Sequence, residues 1–396
     1  MTEGLADAHD LPGQELNTLY SRWSSGGAGL LLSGNIMVDA RYLERSGNMV
    51  LEETTDLAPF KKLAAAGKTN NSAFWVQLNH PGRQCNRIVN ARPIAPSAIQ
   101  LELAGSFGQP REMSEEDIRD VIHRFAITAQ RSKQAGFDGV QIHSAHGYLS
   151  SQFLSPLTNR RQDQWGGSLE NRARFLLETV AAVRQAVGNE FPIGVKLNSA
   201  DFQEGGFALS DCQQVAAWLN EAGIDLLEVS GGTYESLVWL DNSEQRESTR
   251  KREAFFLEYA DSIRQATSTP LMVTGGFRSS ETINNAIADG ATDVVGIGRP
   301  FCVDPDFPKA LLGNQLDVLP IAETKLKLGN GWLGPASRFK TIRGLNNQGH
   351  TAWFYQQILR LANNQPVLEH HSVLRTFIAH NINEMRLDKR RVFKQQ

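Results

Sequence analysis

Cysteine is scarce in this chain: Cys85, Cys212 and Cys302 are the only three in 396 residues. They lie far apart, are odd in number and show no C-x-x-C spacing, which argues against a disulfide framework and a cysteine-ligated iron–sulfur cluster. A reducing, cytoplasmic setting is the expectation. Long apolar runs are also missing, since no segment reaches the roughly 18 residues that span a bilayer. The polar start Met1-Thr2-Glu3-Gly4 has no signal-peptide core. Excess charge of one sign is absent too. With a formal net charge of -3 and no basic run before residue 385, neither nucleic acid nor an anionic membrane is an expected partner. The short Lys389-Arg390-Arg391 cluster is expected to end a solvated helix.

At this length, a 41% hydrophobic content can build one large core, and a single α/β barrel with a C-terminal appendage fits better than three small domains. Short apolar runs at 28–35, 72–79, 139–145, 193–200, 226–232, 271–276 and 293–299 alternate with helical stretches, the pattern of a parallel sheet built from β-α units. Gly136, Gly223 and Gly290 each stand at a helix end before the next strand, where a C′ residue often needs φ > 0. Ser114-x-x-Asp117 is a capping box that starts the helix running toward Gly136. The unequal spacing of the three junctions favours a barrel over a solenoid.

The densest chemistry is in Gly139-Val140-Gln141-Ile142-His143-Ser144-Ala145-His146-Gly147-Tyr148-Leu149. It places two imidazoles and a phenol where an apolar strand breaks at a glycine. Such a group can bind a carbonyl oxygen and supply a proton. His143 and His146 at i, i+3 could also ligate a metal, but no third ligand has recognisable spacing. Other strand ends, where barrel chemistry sits, hold Ser33-Gly34, Gln77, Lys196, Ser230-Gly231-Gly232, Gly275-Gly276 and Gly298-Arg299. The last two pairs follow the final two strands, the usual phosphate site of this fold, and imply a bound mononucleotide. His80 and His123 are expected to pack or face solvent, and His350, His370, His371 and His380 carry no assigned role.

These motifs, with Ser155-Pro156-Leu157-Thr158-Asn159-Arg160-Arg161 and Trp165-Gly166-Gly167-Ser168-Leu169-Glu170-Asn171-Arg172-Ala173-Arg174-Phe175, make a chain that resembles the Old Yellow Enzyme family of flavin-dependent ene-reductases. The resemblance runs from Thr2 to about Asp304. It implies FMN, with Gly276, Gly298 and Arg299 on the phosphate, Gln77 on the pyrimidine edge, Lys196 near N1 and Thr2 near O4. It further implies that His143 and His146 bind the oxygen of an electron-poor alkene, that Tyr148 donates the proton, and that NADH or NADPH supplies hydride.

The resembled barrel has eight strands, and seven are visible here. Helix-forming residues 15–25 precede the first, leaving almost no room for an opening strand. Met1 therefore looks like an internal methionine of a longer relative. A barrel lacking that strand would leave unpaired backbone groups at a seam, so the chain is expected to be unstable or flavin-poor unless its natural start lies upstream. The expected architecture is a (β/α)8 TIM barrel over residues 1–310, apparently lacking its first strand, and a helical extension over 311–396. The extension's helices, at 349–361 and 373–387, could cover the barrel's open bottom or pack on a second copy in a homo-oligomer. Two other readings stand beside this one: a metal-dependent barrel hydrolase or lyase using His143 and His146, and a non-catalytic remnant.

Overall fold

A computed structural model of the chain describes residues 2–102, 106–230, 259–322, 325–368 and 372–395. Its strands are β1 (Leu30–Met37), β2 (Met49–Val50), β3 (Ala73–Asn79), β4 (Ile94–Ala95), β5 (Arg111–Glu112), β6 (Gly139–Ser144), β7 (Ile193–Asn198), β8 (Leu226–Ser230), β9 (Leu271–Thr274) and β10 (Val294–Gly296). Eight of them form one parallel sheet in the order β10-β9-β8-β7-β6-β3-β1-β2, while β4 and β5 pair separately. With helices in most of the connections between its strands, this is a curled α/β sheet of TIM-barrel type.

The period of two along each strand explains how one sequence builds both a core and a site. Phe74, Val76 and Leu78 on β3, Val140 and Ile142 on β6, Val195 and Leu197 on β7, and Leu227 and Val229 on β8 are buried in one continuous apolar cluster with the helices. The alternate residues face the barrel interior, and they are polar: Gln77, Gln141, His143, Lys196, Asn198, Glu228 and Ser230, all buried. Trp75 closes the interior below them. A Cβ at Gly139 would stand 2.6 Å from its ring, and one at Gly194 3.1 Å.

The helices are α1 (Gln14–Ser25), α2 (Leu57–Gly67), α3 (Glu115–Ala135), α4 (Leu149–Leu154), α5 (Leu169–Val187), α6 (Leu209–Glu221), α7 (Ser280–Ala288), α8 (Phe307–Leu312), α9 (Lys340–Ala362) and α10 (Val373–Gln395). The capping box forms: Ser114 Oγ accepts from the Asp117 amide at 3.1 Å, and Asp117 Oδ2 accepts from the Ser114 amide at 2.8 Å. Gly136 ends α3 in the left-handed region at φ 91°.

Three expectations need correction. The sheet has an unanticipated strand, β2, which follows β1 and pairs with its end through Ile36↔Met49 and Met37↔Val50. Two residues are too few to show a period. The last strand stops at Gly296, so Gly298 lies beyond it and Arg299 opens a short 3-10 turn, Arg299–Cys302. The tail helices are longer than expected, beginning at Lys340 and ending at Gln395.

In the sheet order β10 stands at one edge and β2 at the other. Near β1 the edge is furnished with side chains: the Gly34 amide donates to Glu3 Oε1 at 2.7 Å, and Tyr20 Oη lies 3.0 Å from the same nitrogen. Helix α9 packs along α1, joining Ile358, Leu361 and Ala362 to Leu19. The loop after β1 meets the tail as well, with Arg45 over the Tyr355 ring at 4.4 Å and 3.7 Å from the Glu384 carboxylate.

Candidate active site

The turn after β6 is built to bring three side chains together. His146 adopts φ 59° and Gly147 φ 76°, a left-handed pair that reverses the chain before α4. Tertiary hydrogen bonds hold this turn: the His146 amide donates to Asn198 Oδ1 at 3.0 Å, and its carbonyl accepts from Gln84 Nε2 at 2.8 Å. Tyr148 then sits at the N-cap of α4, buried, with its ring 4.8 Å from that of His143 in an edge-on contact.

Hydrogen bonds assign the imidazole protons. His143 Nδ1 accepts from the Ala145 amide at 3.3 Å, so a neutral ring carries its proton on Nε2. That N–H faces His146 Nδ1 at 3.4 Å, which leaves the His146 proton on Nε2, 2.8 Å from Ser230 Oγ. Both rings are held well below the ordinary imidazole range. For His143 the causes are burial first, then the neighbouring His146 and Lys196 charges; for His146 they are burial and Lys196.

A third buried ring, His80, is pushed down to about 4, chiefly by burial. In the unfolded chain these rings take up a proton below about pH 6.5, while the folded rings stay neutral. The unfolded state therefore binds more protons as pH falls, and stability drops from about pH 6.5 downward by roughly 1.4 kcal/mol per pH unit for each ring until its folded value is reached. Urea unfolding at pH 7.5 and pH 5 checks this; an unchanged midpoint would contradict the neutral-ring assignment.

Beside the histidines lies a buried ion pair, Lys196 Nζ to Glu228 Oε1 at 2.8 Å. Register places it there, since Lys196 is opposite His143 on β6 and Glu228 on β8. Glu228 Oε2 accepts from Gln141 Nε2 at 2.7 Å, and Gln141 Oε1 accepts from Gln77 Nε2 at 2.7 Å. Thr2 is buried beside β1, donating to Glu44 Oε2 at 2.8 Å, an oxygen shared with Asn35 Nδ2 of that strand. Gly276 follows β9, and Gly298 and Arg299 follow β10, the two strands that come after β8 in the sheet order.

The strand ends fit a mononucleotide. Gly275 and Gly276 take φ 113° and 85°, turning successive amides as an anion-binding loop does. Thr274 Oγ1 beside them is buried and has no hydrogen-bond partner among the described residues. Gln77 and Lys196 offer an amide and a cation for a flavin ring. Gly231 and Gly232 lie outside the described residues. Among the described residues no three His, Cys, Asp or Glu side chains are grouped to hold a metal. Sequence reasoning missed Gln141 and Glu228 and gave Ser230 no partner. Their signal was position: Gln141 is two residues before His143, and Glu228 two before Ser230, each on the inward face.

A parallel barrel-type sheet with these strand ends defines a flavin-dependent oxidoreductase. The chain belongs to the NADH:flavin oxidoreductase / NADH oxidase family, whose model matches residues 2–316. FMN is the cofactor and NADH or NADPH the hydride donor. It is 37% identical to the NADH-dependent flavin oxidoreductase iliE of Hypocrea jecorina over 340 residues, 80% of this chain and 84% of that protein. Among solved structures, a 2-naphthoyl-CoA reductase complex superposes with a TM-score of 0.74 at 28% identity, covering 80% of this chain and 49% of the other. Morphinone reductase superposes at 0.66 with 27% identity, covering 81% and 86%. No helix among the described residues is long and apolar enough to cross a membrane.

Proposed function

We propose that this enzyme reduces the C=C bond of α,β-unsaturated aldehydes, ketones or nitro compounds. The observation that carries the reading is the pair of buried, neutral imidazoles whose facing nitrogens are 3.4 Å apart, with the Tyr148 phenol against one of them. Bound FMN would supply the hydride chemistry, linking NADH or NADPH as donor to the substrate's β-carbon as acceptor.

The protein's residues supply the rest. As hydride arrives, negative charge builds on the substrate oxygen, and donors placed there lower the barrier more than they help the ground state. His143 offers Nε2–H directly. His146 offers Nδ1–H once its tautomer changes, which the Ser230 hydroxyl allows by donating to Nε2. Tyr148 gives the proton to the α-carbon, a role a positioned phenol O–H can fill. Hydride and proton together account for the two hydrogens added across the bond.

Thr2, Gln77 and Lys196 hold the flavin ring in this reading, and Gly276, Gly298 and Arg299 its phosphate. A lysine near N1 supplies charge without the bidentate geometry of arginine. Adding FMN to cofactor-free protein should give the visible spectrum of bound flavin and raise the melting temperature. A colourless protein with no thermal shift would overturn the site assignment.

A further inference from the structure

A polar row crosses the barrel interior on four strands. Glu228 accepts from Lys196 through Oε1 and from Gln141 through Oε2, and Gln141 accepts in turn from Gln77. None of the four residues is more than 2% exposed. A carboxylate can only accept hydrogen bonds. The Gln141 NH2 must therefore face Glu228, its carbonyl must face Gln77, and the NH2 of Gln77 must face Gln141. One acid at the end of the row thus decides the orientation of two amides. With a neutral amide in its place, the same contacts could be made with both glutamines reversed.

We propose that Glu228 is a positioning residue for FMN. It acts through Gln141 to turn the Gln77 carbonyl away from the row and toward the cofactor, and it balances the charge of Lys196. The inference rests on the reading that Gln77 and Lys196 meet the flavin's pyrimidine edge. That edge presents acceptor, donor and acceptor in sequence, and its central N–H needs an accepting oxygen. A reversed Gln77 would set N–H against N–H.

The test uses the full chain, freed of cofactor and titrated with FMN. Glu228→Gln keeps the shape, but its carbonyl must serve Lys196, so its NH2 would meet the NH2 of Gln141 and both glutamines would flip. The FMN dissociation constant should rise about tenfold or more, the scale of a mispaired buried polar group. The double variant Gln141→Glu/Glu228→Gln moves the carboxylate one place along the row. Position 141 then accepts from both neighbours, position 228 keeps its carbonyl on Lys196, and Gln77 regains its original sense. Its FMN affinity should return to within about threefold of the parent. A purely structural role predicts no such rescue, because a second buried position has been changed.

Glu228→Gln binding FMN as tightly as the parent, or a folded double variant binding no better than the single, overturns the proposal. If the single variant does not fold, the double variant decides alone by the same threefold criterion. A parent that binds no FMN overturns the site assignment together with this inference. A parent that binds FMN, with Glu228→Gln unaltered, removes this inference only.

Discussion

Replacing His143 and His146 together with alanine is expected to slow alkene reduction by about 10²-fold or more, since in the proposed reaction each substitution removes a donor to the oxygen that gains charge. The loss should appear in kcat/KM for the alkene. Tyr148→Phe should slow the oxidative half-reaction, in which the alkene is consumed, and leave flavin reduction by NADH nearly unchanged. Stopped-flow measurement of the two half-reactions separates these effects, and equal losses in both would refute the assigned roles. Added metal ions should restore nothing to the double variant or to a chelated sample.

The second large effect is on stability. Lys196 and Glu228 are 2% and 1% exposed, so Lys196→Met leaves a buried carboxylate without its cation. Removing one member of such a pair typically costs about 3–5 kcal/mol, a large share of a domain's total of roughly 5–15 kcal/mol. Replacing both members with apolar groups of similar volume should recover most of the loss, because an intact buried pair is often no better than a well-packed apolar substitute. Urea unfolding of cofactor-free protein measures both variants. A loss below about 1 kcal/mol for Lys196→Met would show that the pair is hydrated or broken in solution.

Local signals in the sequence located seven strands, the helix start at Ser114 and the glycine-ended junctions, because each depends on a period or a cap within a few residues. The turn at 143–148 was legible for the same reason: polar residues break an apolar strand at a glycine. Long-range pairing was not legible. Glu228 reads as a lone acid in Leu226–Ser230, and only the register that sets it beside Lys196 makes it part of the site. Strand β2 has no period, and its identity comes from lying against Ile36 and Met37. The first turns of α9 lack an apolar stripe; Asn346 fixes them by accepting from the Leu328 amide at 2.9 Å and donating to the Leu333 carbonyl at 3.0 Å. Met1, Gly231, Gly232, His370 and His371 lie outside the described residues.

The central claim is that one barrel passes hydride from a nicotinamide through FMN to an electron-poor C=C bond. Its most direct test is anaerobic: FMN-loaded protein is bleached with one equivalent of NADH or NADPH, and 2-cyclohexenone is then added while the flavin absorbance is followed. The predicted result is a return of the flavin colour with one saturated ketone formed per flavin. A flavin that stays bleached with enones, enals and nitroalkenes alike, yet recolours on admission of oxygen, would contradict the proposed reaction.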